Sequence, residues 1–329
     1  MYLYQKIFNP APVEGIPESS PEEKSESVGD RHDGRVYVYN DDIVLAINIA
    51  ITTGRPLLIR GLPGSGKSSL ARNVARHLKW RYYEEVISSR TQARDLLWVF
   101  DTLRRLNDAQ AKTINEITAY YIKPGVLWWA FDREGARRRG LSADEFNRRV
   151  QNKAEFVAHD PNQGEQHANA VILLDEIDKA DPDTPNNLLV PLGSLCFQVE
   201  ETKAEVETMP QYAPLVFITT NDDRQLSDAF LRRCVVLKLK APDRERLVEI
   251  AKAHYGNKDE KLYRMIAEQM PSPDDEDTER SRLLPSTAEY LDAVRVAREL
   301  GISPDPQDAT WQALAQATLW KFRGQMEVV

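Results

Sequence analysis

An α/β fold, a mainly parallel sheet followed by a smaller all-helical region, is predicted by three observations. An apolar run, Pro56-Leu57-Leu58-Ile59, enters a glycine-rich loop, Arg60-Gly61-Leu62-Pro63-Gly64-Ser65-Gly66-Lys67-Ser68-Ser69, and leaves it through a helical pattern from Leu70 to Leu78. Two further apolar runs end in polar residues: Ala170 to Leu174 in Asp175-Glu176, and Leu215 to Thr220 in Asn221. From Ala241 to Val329 strand patterns cease and helical periodicity takes over.

The glycine-rich loop has the spacing Gly-x-x-x-x-Gly-Lys-Ser between strand and helix, the context that marks a phosphate-binding loop. Gly61, Gly64 and Gly66 let the backbone curl until successive N–H groups converge, and the helix starting near Lys67 adds its positive end. Pro63 and Ser65 complete the cradle. Lys67 is placed to reach β- and γ-phosphates and Ser68 to hold magnesium, while Ser69 packs at the helix start.

At 329 residues the chain is long enough for two domains. Its formal charge of −8 excludes a surface that tracks nucleic acid throughout, leaving only local basic patches. The two cysteines, Cys196 and Cys234, have no paired spacing, so neither a disulfide framework nor a zinc site is expected, and a reducing cytoplasm is the expected location. No apolar stretch is long enough to span a membrane, and no secretory signal pattern opens the chain.

Along the chain, residues 1–35 read as a mobile leader, with prolines scattered among Glu, Ser and Gly. Tyr37 lies in an extended tract before a helix from Ile43 to Thr52, capped by Asp41 or Asp42; these residues are placed either for a purine pocket or for core packing. Trp80 to Ser88 reads as a strand, Ser89 to Leu97 as a loop leading into a helix, and Trp128 and Trp129 as core. The stretch 131–169 is a charged insertion with Arg133, Arg137, Arg138, Arg139, Arg148 and Arg149, readable as a solvated face or as a nucleic-acid patch. His159 and His167 belong to its polar loop, with a metal site as the alternative.

The run ending at Asp175 reads as a buried parallel strand opening on an active site. Asp175 would hold magnesium, Glu176 would activate a water for attack on the γ-phosphate, and Asp178 would cap the following turn. A helix from Pro185 to Leu195 and a hairpin through Phe197 and Val206 follow. Asn221 can both donate and accept, and so bridge phosphate and water. Arg232 and Arg233, just before a strand from Val235 to Lys240, read either as ion-pairing residues or as a group supplied to a neighbouring subunit. Pro285-Ser286 marks the start of the third of four late helices.

Phosphate loop, strand ending in Asp-Glu, strand ending in Asn, late arginine and helical lid, in that order, resemble an AAA+ ATPase across residues 36–325. Within that superfamily the chain is most similar to the MoxR-like group, through Asp95-Leu96-Leu97, the insertion after it, Lys123-Pro124-Gly125-Val126-Leu127 and the hairpin before Asn221. The resemblance implies a five-stranded parallel sheet of order 5-1-4-3-2 in an α/β domain at 36–240, with a helical lid at 241–329. It implies ATP and magnesium as ligands, Lys67 and Ser68 as the Walker A pair, Asp175 and Glu176 as the Walker B pair, Asn221 as sensor 1, and Arg233 as the arginine finger. It also implies a homo-oligomeric ring, usually hexameric, working in a chaperone-like way on a protein partner, often one with a von Willebrand factor A domain. Two departures stand out: the length of the charged insertion, and Ala288 where a sensor 2 arginine would fall, with Arg282 or Arg295 as substitutes. A nucleic-acid motor resembling McrB-type GTPases and a slow nucleotide-gated switch are the competing readings.

Overall fold

The computed structural model describes residues 4–10, 34–162, 167–270 and 284–321. Nine strands lie among them: β1 (Leu57–Arg60), β2 (Arg81–Val86), β3 (Trp98–Phe100), β4 (Ile122–Pro124), β5 (Ala170–Asp175), β6 (Cys196–Gln198), β7 (Glu205–Glu207), β8 (Leu215–Thr220) and β9 (Val235–Lys238). Five of them form one parallel sheet of order β2-β5-β8-β1-β9; β3-β4 and β6-β7 are separate antiparallel pairs. Numbered one to five along the chain, the sheet strands run 2-3-4-1-5, which is the expected order read from the opposite edge.

Alternation along each strand explains why the sheet is covered on both sides. Leu57 and Ile59 of β1, Val171 and Leu173 of β5, and Leu215 and Phe217 of β8 enter one core, with the helices Asp41–Thr53 and Lys67–Leu78. Leu58, Ile172, Leu174, Val216 and Ile218 enter the other, with Trp128 and Trp129 of the helix Val126–Phe131. Successive side chains of a strand point to opposite faces, so continuous apolar runs are what a doubly covered sheet requires.

The helices Arg244–Tyr255, Glu260–Glu268, Thr287–Leu300 and Ala309–Thr318 share a third core around Tyr263, Tyr290 and Trp311. The expected leader falls mostly on residues outside the described ones, but its first part is held in place. Phe8 is buried in the sheet core, and the Asn48 side chain accepts from the N–H groups of Ile7 and Phe8 at 2.7 and 2.8 Å while donating to Phe8 O.

Local differences from expectation have local causes. Asn40, rather than Asp41 or Asp42, caps the first helix, its Oδ1 accepting the Ile43 N–H. The turn Ala93–Leu96 is followed by β3, not by a helix, because Trp98 to Phe100 pairs with β4. The helix expected over 185–195 is two, Asp183–Asn187 and Leu189–Ser194: Pro191 has no N–H to continue the hydrogen-bond ladder. The basic insertion turns part of its charge inward. Arg133 pairs with buried Asp160 at 2.5 Å, and Arg139, 9% exposed, donates to Phe156 O at 2.7 Å and to Ile122 O. These two arginines support structure, while Arg137, Arg148 and Arg149 stay exposed.

Candidate nucleotide site at the strand ends

In the parallel sheet, β8 lies between β1 and β5, so the loops that follow these three strands open side by side at their carboxyl ends. This is why Lys67 and Asn221 meet although 154 positions apart, and Ser68 and Asp175 although 107 apart. Lys67 Nζ donates to Asn221 Oδ1 at 2.6 Å and to the carbonyls of Gly61 and Leu62 at 2.8 and 2.9 Å. Burial pushes this ammonium below the ordinary lysine range, and the carboxylates of Asp175, Asp178 and Glu176 pull it back only in part.

Two features give the loop its shape. Gly64 and Gly66 stand at φ +71 and +86, the left-handed region that side chains avoid. Gly66 also has the Tyr37 ring beside it, and Ile43 is in the sheet core, so of the two residues weighed for a purine pocket only Tyr37 stands at the loop. Ser65 Oγ is buried there without a hydrogen-bond partner among the described residues. Ser69 is half-buried in the first turn of the helix.

Across the loop, Ser68 Oγ lies 3.0 and 2.9 Å from the two oxygens of Asp175. A hydroxyl against a carboxylate is a hard oxygen donor set, the kind a magnesium ion takes with phosphate and water. The curled amides, the unsatisfied Ser65 hydroxyl and this donor pair together fit a magnesium–nucleotide.

Glu176 turns out of β5 at φ 62, with its N–H held by Thr219 Oγ1 at 2.8 Å. Its Oε1 lies 3.5 Å from Asn221 Nδ2, and its Oε2 pairs with Lys179 Nζ at 2.5 Å. That bond raises the Lys179 ammonium above its ordinary range. Thr219, fully buried, also donates to Asp175, and so ties the Asp175 carboxylate and the Glu176 backbone to β8. Sequence reasoning passed over Thr219 and Lys179; the signal for Thr219 is a hydroxyl near the end of an otherwise apolar strand. Asp178 does not cap the turn after β5 as the sequence leads one to expect. Instead its Oδ2 accepts the N–H groups of Asn221 and Asp223, at 3.2 and 3.0 Å.

Arg233 is not part of this cluster. It is exposed and donates to Ala229 O at 3.2 Å, two residues before Val235, which is paired with Leu57 at the start of β1. The phosphate loop follows the other end of β1, about 13 Å away at ~3.3 Å per residue. The C-terminal helical unit meets the site differently. Ala288 N–H donates to Gly64 O at 3.3 Å, and the Ser286 side chain presses on Gly64. Arg295 pairs with Glu299 at 3.0 Å instead of entering the site, and Arg282 lies outside the described residues.

A phosphate loop, an Asp-Glu strand end and a polar strand end on adjacent parallel strands, with a helical unit against the loop, define a P-loop ATPase of the AAA+ class. The chain belongs to the AAA domain family, dynein-related subfamily, which matches residues 56–234. Among solved structures it is similar to RuvB of Thermotoga maritima. One RuvB mutant aligns at 15% identity and TM-score 0.46 over 84% of this chain and 68% of that one. A second aligns at 15% and 0.46 over 85% and 70%. The RuvB Holliday junction branch migration motor aligns at 15% and 0.44 over 84% and 66%. No curated protein matches the chain. No helix among the described residues is long and apolar enough to cross a membrane.

Proposed function

We propose that this chain hydrolyses ATP in a magnesium-dependent, ring-shaped homo-oligomer and uses the cycle to remodel a protein partner, as the resemblance to the MoxR-like group implies. The observation that carries the reading is the convergence of Lys67, Ser68, Asp175, Glu176 and Asn221 on one point. Ser68 and Asp175 would hold magnesium, which would supply positive charge to offset that of the phosphates. Lys67 Nζ exchanges its loop carbonyls for phosphate oxygens. Glu176 takes the proton of the attacking water at Oε1, and Asn221 Nδ2 beside that oxygen holds the water in line. Adenine is the expected base, and Tyr37 stands beside the loop to receive it.

The place of Arg233 supports a ring. At the far end of the sheet from its own phosphate loop, and exposed, it is placed to serve a neighbour's nucleotide, which makes hydrolysis depend on assembly. We take the ring to be hexameric, the lid to be 241–329, the partner to carry a von Willebrand factor A domain, and the location to be cytoplasmic. The test is ATP hydrolysis per subunit against protein concentration for wild type, Glu176→Gln and Arg233→Ala, with native mass measured in parallel. Specific activity is expected to rise with assembly and to fall about 100-fold or more in both variants. Activity independent of concentration and surviving Arg233→Ala would replace the ring by a monomeric switch.

A further inference from the structure

Asp178 takes no part in the chemistry just described, yet it is buried to 3% exposure between two elements of the site. A carboxylate is stable there only if donors replace its lost water. The donors come from one short loop. Asn221 and Asp223 both aim their N–H groups at Oδ2, and between them Asp222 reverses the chain at φ +60. Such a reversal turns nearby amides toward one point and makes a small concavity for an anion. The Asp222 N–H is used as well, on Thr220 Oγ1 at 2.9 Å, so three successive amides of the loop are tied. Asp178 Oδ1 has no hydrogen-bond partner among the described residues.

Asn221 is the first residue of that loop, and its side chain touches Lys67 on one side and Glu176 on the other. Its single backbone N–H is the one given to Asp178. The carboxylate after β5 therefore sets where the amide after β8 stands.

We propose that Asp178 is a positioning residue for hydrolysis: it clamps the loop after β8 so that the Asn221 side chain bridges Lys67 and Glu176. The assignment rests on the ATP-hydrolysis reading above. Asp178 makes no hydrogen bond with the cradle from Gly61 to Ser68 and reaches Lys67 only through its charge, so its removal acts on turnover and leaves the donors that hold the nucleotide in place. A displacement of about 1 Å at a reacting centre costs on the order of 100-fold in rate.

The experiment is steady-state ATP hydrolysis and direct ATP binding by the full chain, for wild type, Asp178→Ala, Asp178→Asn, Asn221→Ala and the double Asp178→Ala/Asn221→Ala. Asp178→Ala is expected to lower kcat by about 10- to 100-fold with unchanged ATP affinity. Asp178→Asn, whose amide oxygen still accepts both N–H groups, recovers most of the rate. The double variant is no slower than Asn221→Ala, because the two residues act through one amide. Should Asp178→Ala fail to fold, Asp178→Glu keeps the charge but moves the acceptor, and the same kcat loss is expected of it. Wild-type kcat in Asp178→Ala and Asp178→Glu, equal losses of kcat and affinity, an Asp178→Asn as slow as Asp178→Ala, or additive losses in the double variant would each overturn the positioning role while leaving the ATPase reading standing. A wild type that binds ATP without hydrolysing it would overturn the ATPase reading, and this role with it.

Discussion

Arg139 shows at the scale of one residue what a charge run conceals. The sequence places it among exposed basic neighbours, and composition cannot say which of them turns inward. In the fold it adopts φ +53 and stretches its guanidinium to Phe156 O and Ile122 O, over the Tyr120 and Phe156 rings. Burial pushes it below the ordinary arginine range. Arg139→Ala leaves two buried carbonyls without donors and is expected to cost about 2–4 kcal/mol in urea unfolding. Arg148→Ala, at an exposed position, is expected to stay within about 0.5 kcal/mol. Lys67, Asp175 and Glu176 were legible for the opposite reason: their spacing around glycines and strand ends has a chemical meaning before any fold is known. Asp178 and Thr219 were not, because each acts on backbone N–H groups 43 to 45 positions away, just beyond the end of a strand.

Among elements, the long apolar strands were legible and the three-residue ones only in part. A strand covered on both faces must be apolar throughout, whereas β3 has only Trp98 buried and leaves Val99 exposed, so it carries no periodic signal. The helix Thr287–Leu300 announced itself by its cap. Ser286 and Glu289 bond reciprocally, and Lys321 adds an ion pair. That Ser286 also rests on the phosphate loop could not be read, since it depends on how two units pack. The contact is tight: a Cβ on Gly64 would lie 2.5 Å from Ser286 Oγ, at a backbone angle of φ +71. Gly64→Ala is expected to lower stability by about 1–2 kcal/mol from the angle alone, with the clash added. Gly64→Ala/Ser286→Gly relieves the clash but keeps the strained angle and gives up the Ser286 cap, worth a few tenths of a kcal/mol against glycine, so thermal unfolding of the pair should show partial recovery.

At the scale of the whole molecule, the sheet order decides everything the site contains, and here family resemblance supplied what periodicity could not. Periodicity finds strands but not their neighbours; the Gly-Lys-Ser loop and the two polar strand ends supplied the class, and the class supplied the order. The three cores have a common chemical signature in their ionisable groups. Burial pushes Tyr255 and Cys234 up to about 12, and raises Tyr39, Tyr82 and Tyr290 as well. A folded-state value above the ordinary one means that stability is complete below the ordinary value and lost as pH rises. Those ordinary values are 10.0 for tyrosine and 9.0 for cysteine. Circular dichroism melts should therefore hold steady from neutral pH to about 9 and fall steadily as pH climbs toward 12, with tyrosine ionisation seen in absorbance only as the fold opens.

Glu176 bends the chain where a glycine would sit without strain. For a residue with a Cβ that posture costs about 1–2 kcal/mol, and the fold retains it by anchoring the Glu176 N–H on Thr219. On the proposed ATP-hydrolysis reading, heat resistance and turnover compete for one side chain. A lineage screened for thermal persistence alone would drift toward glycine at this position, and hydrolysis would be the first property it lost.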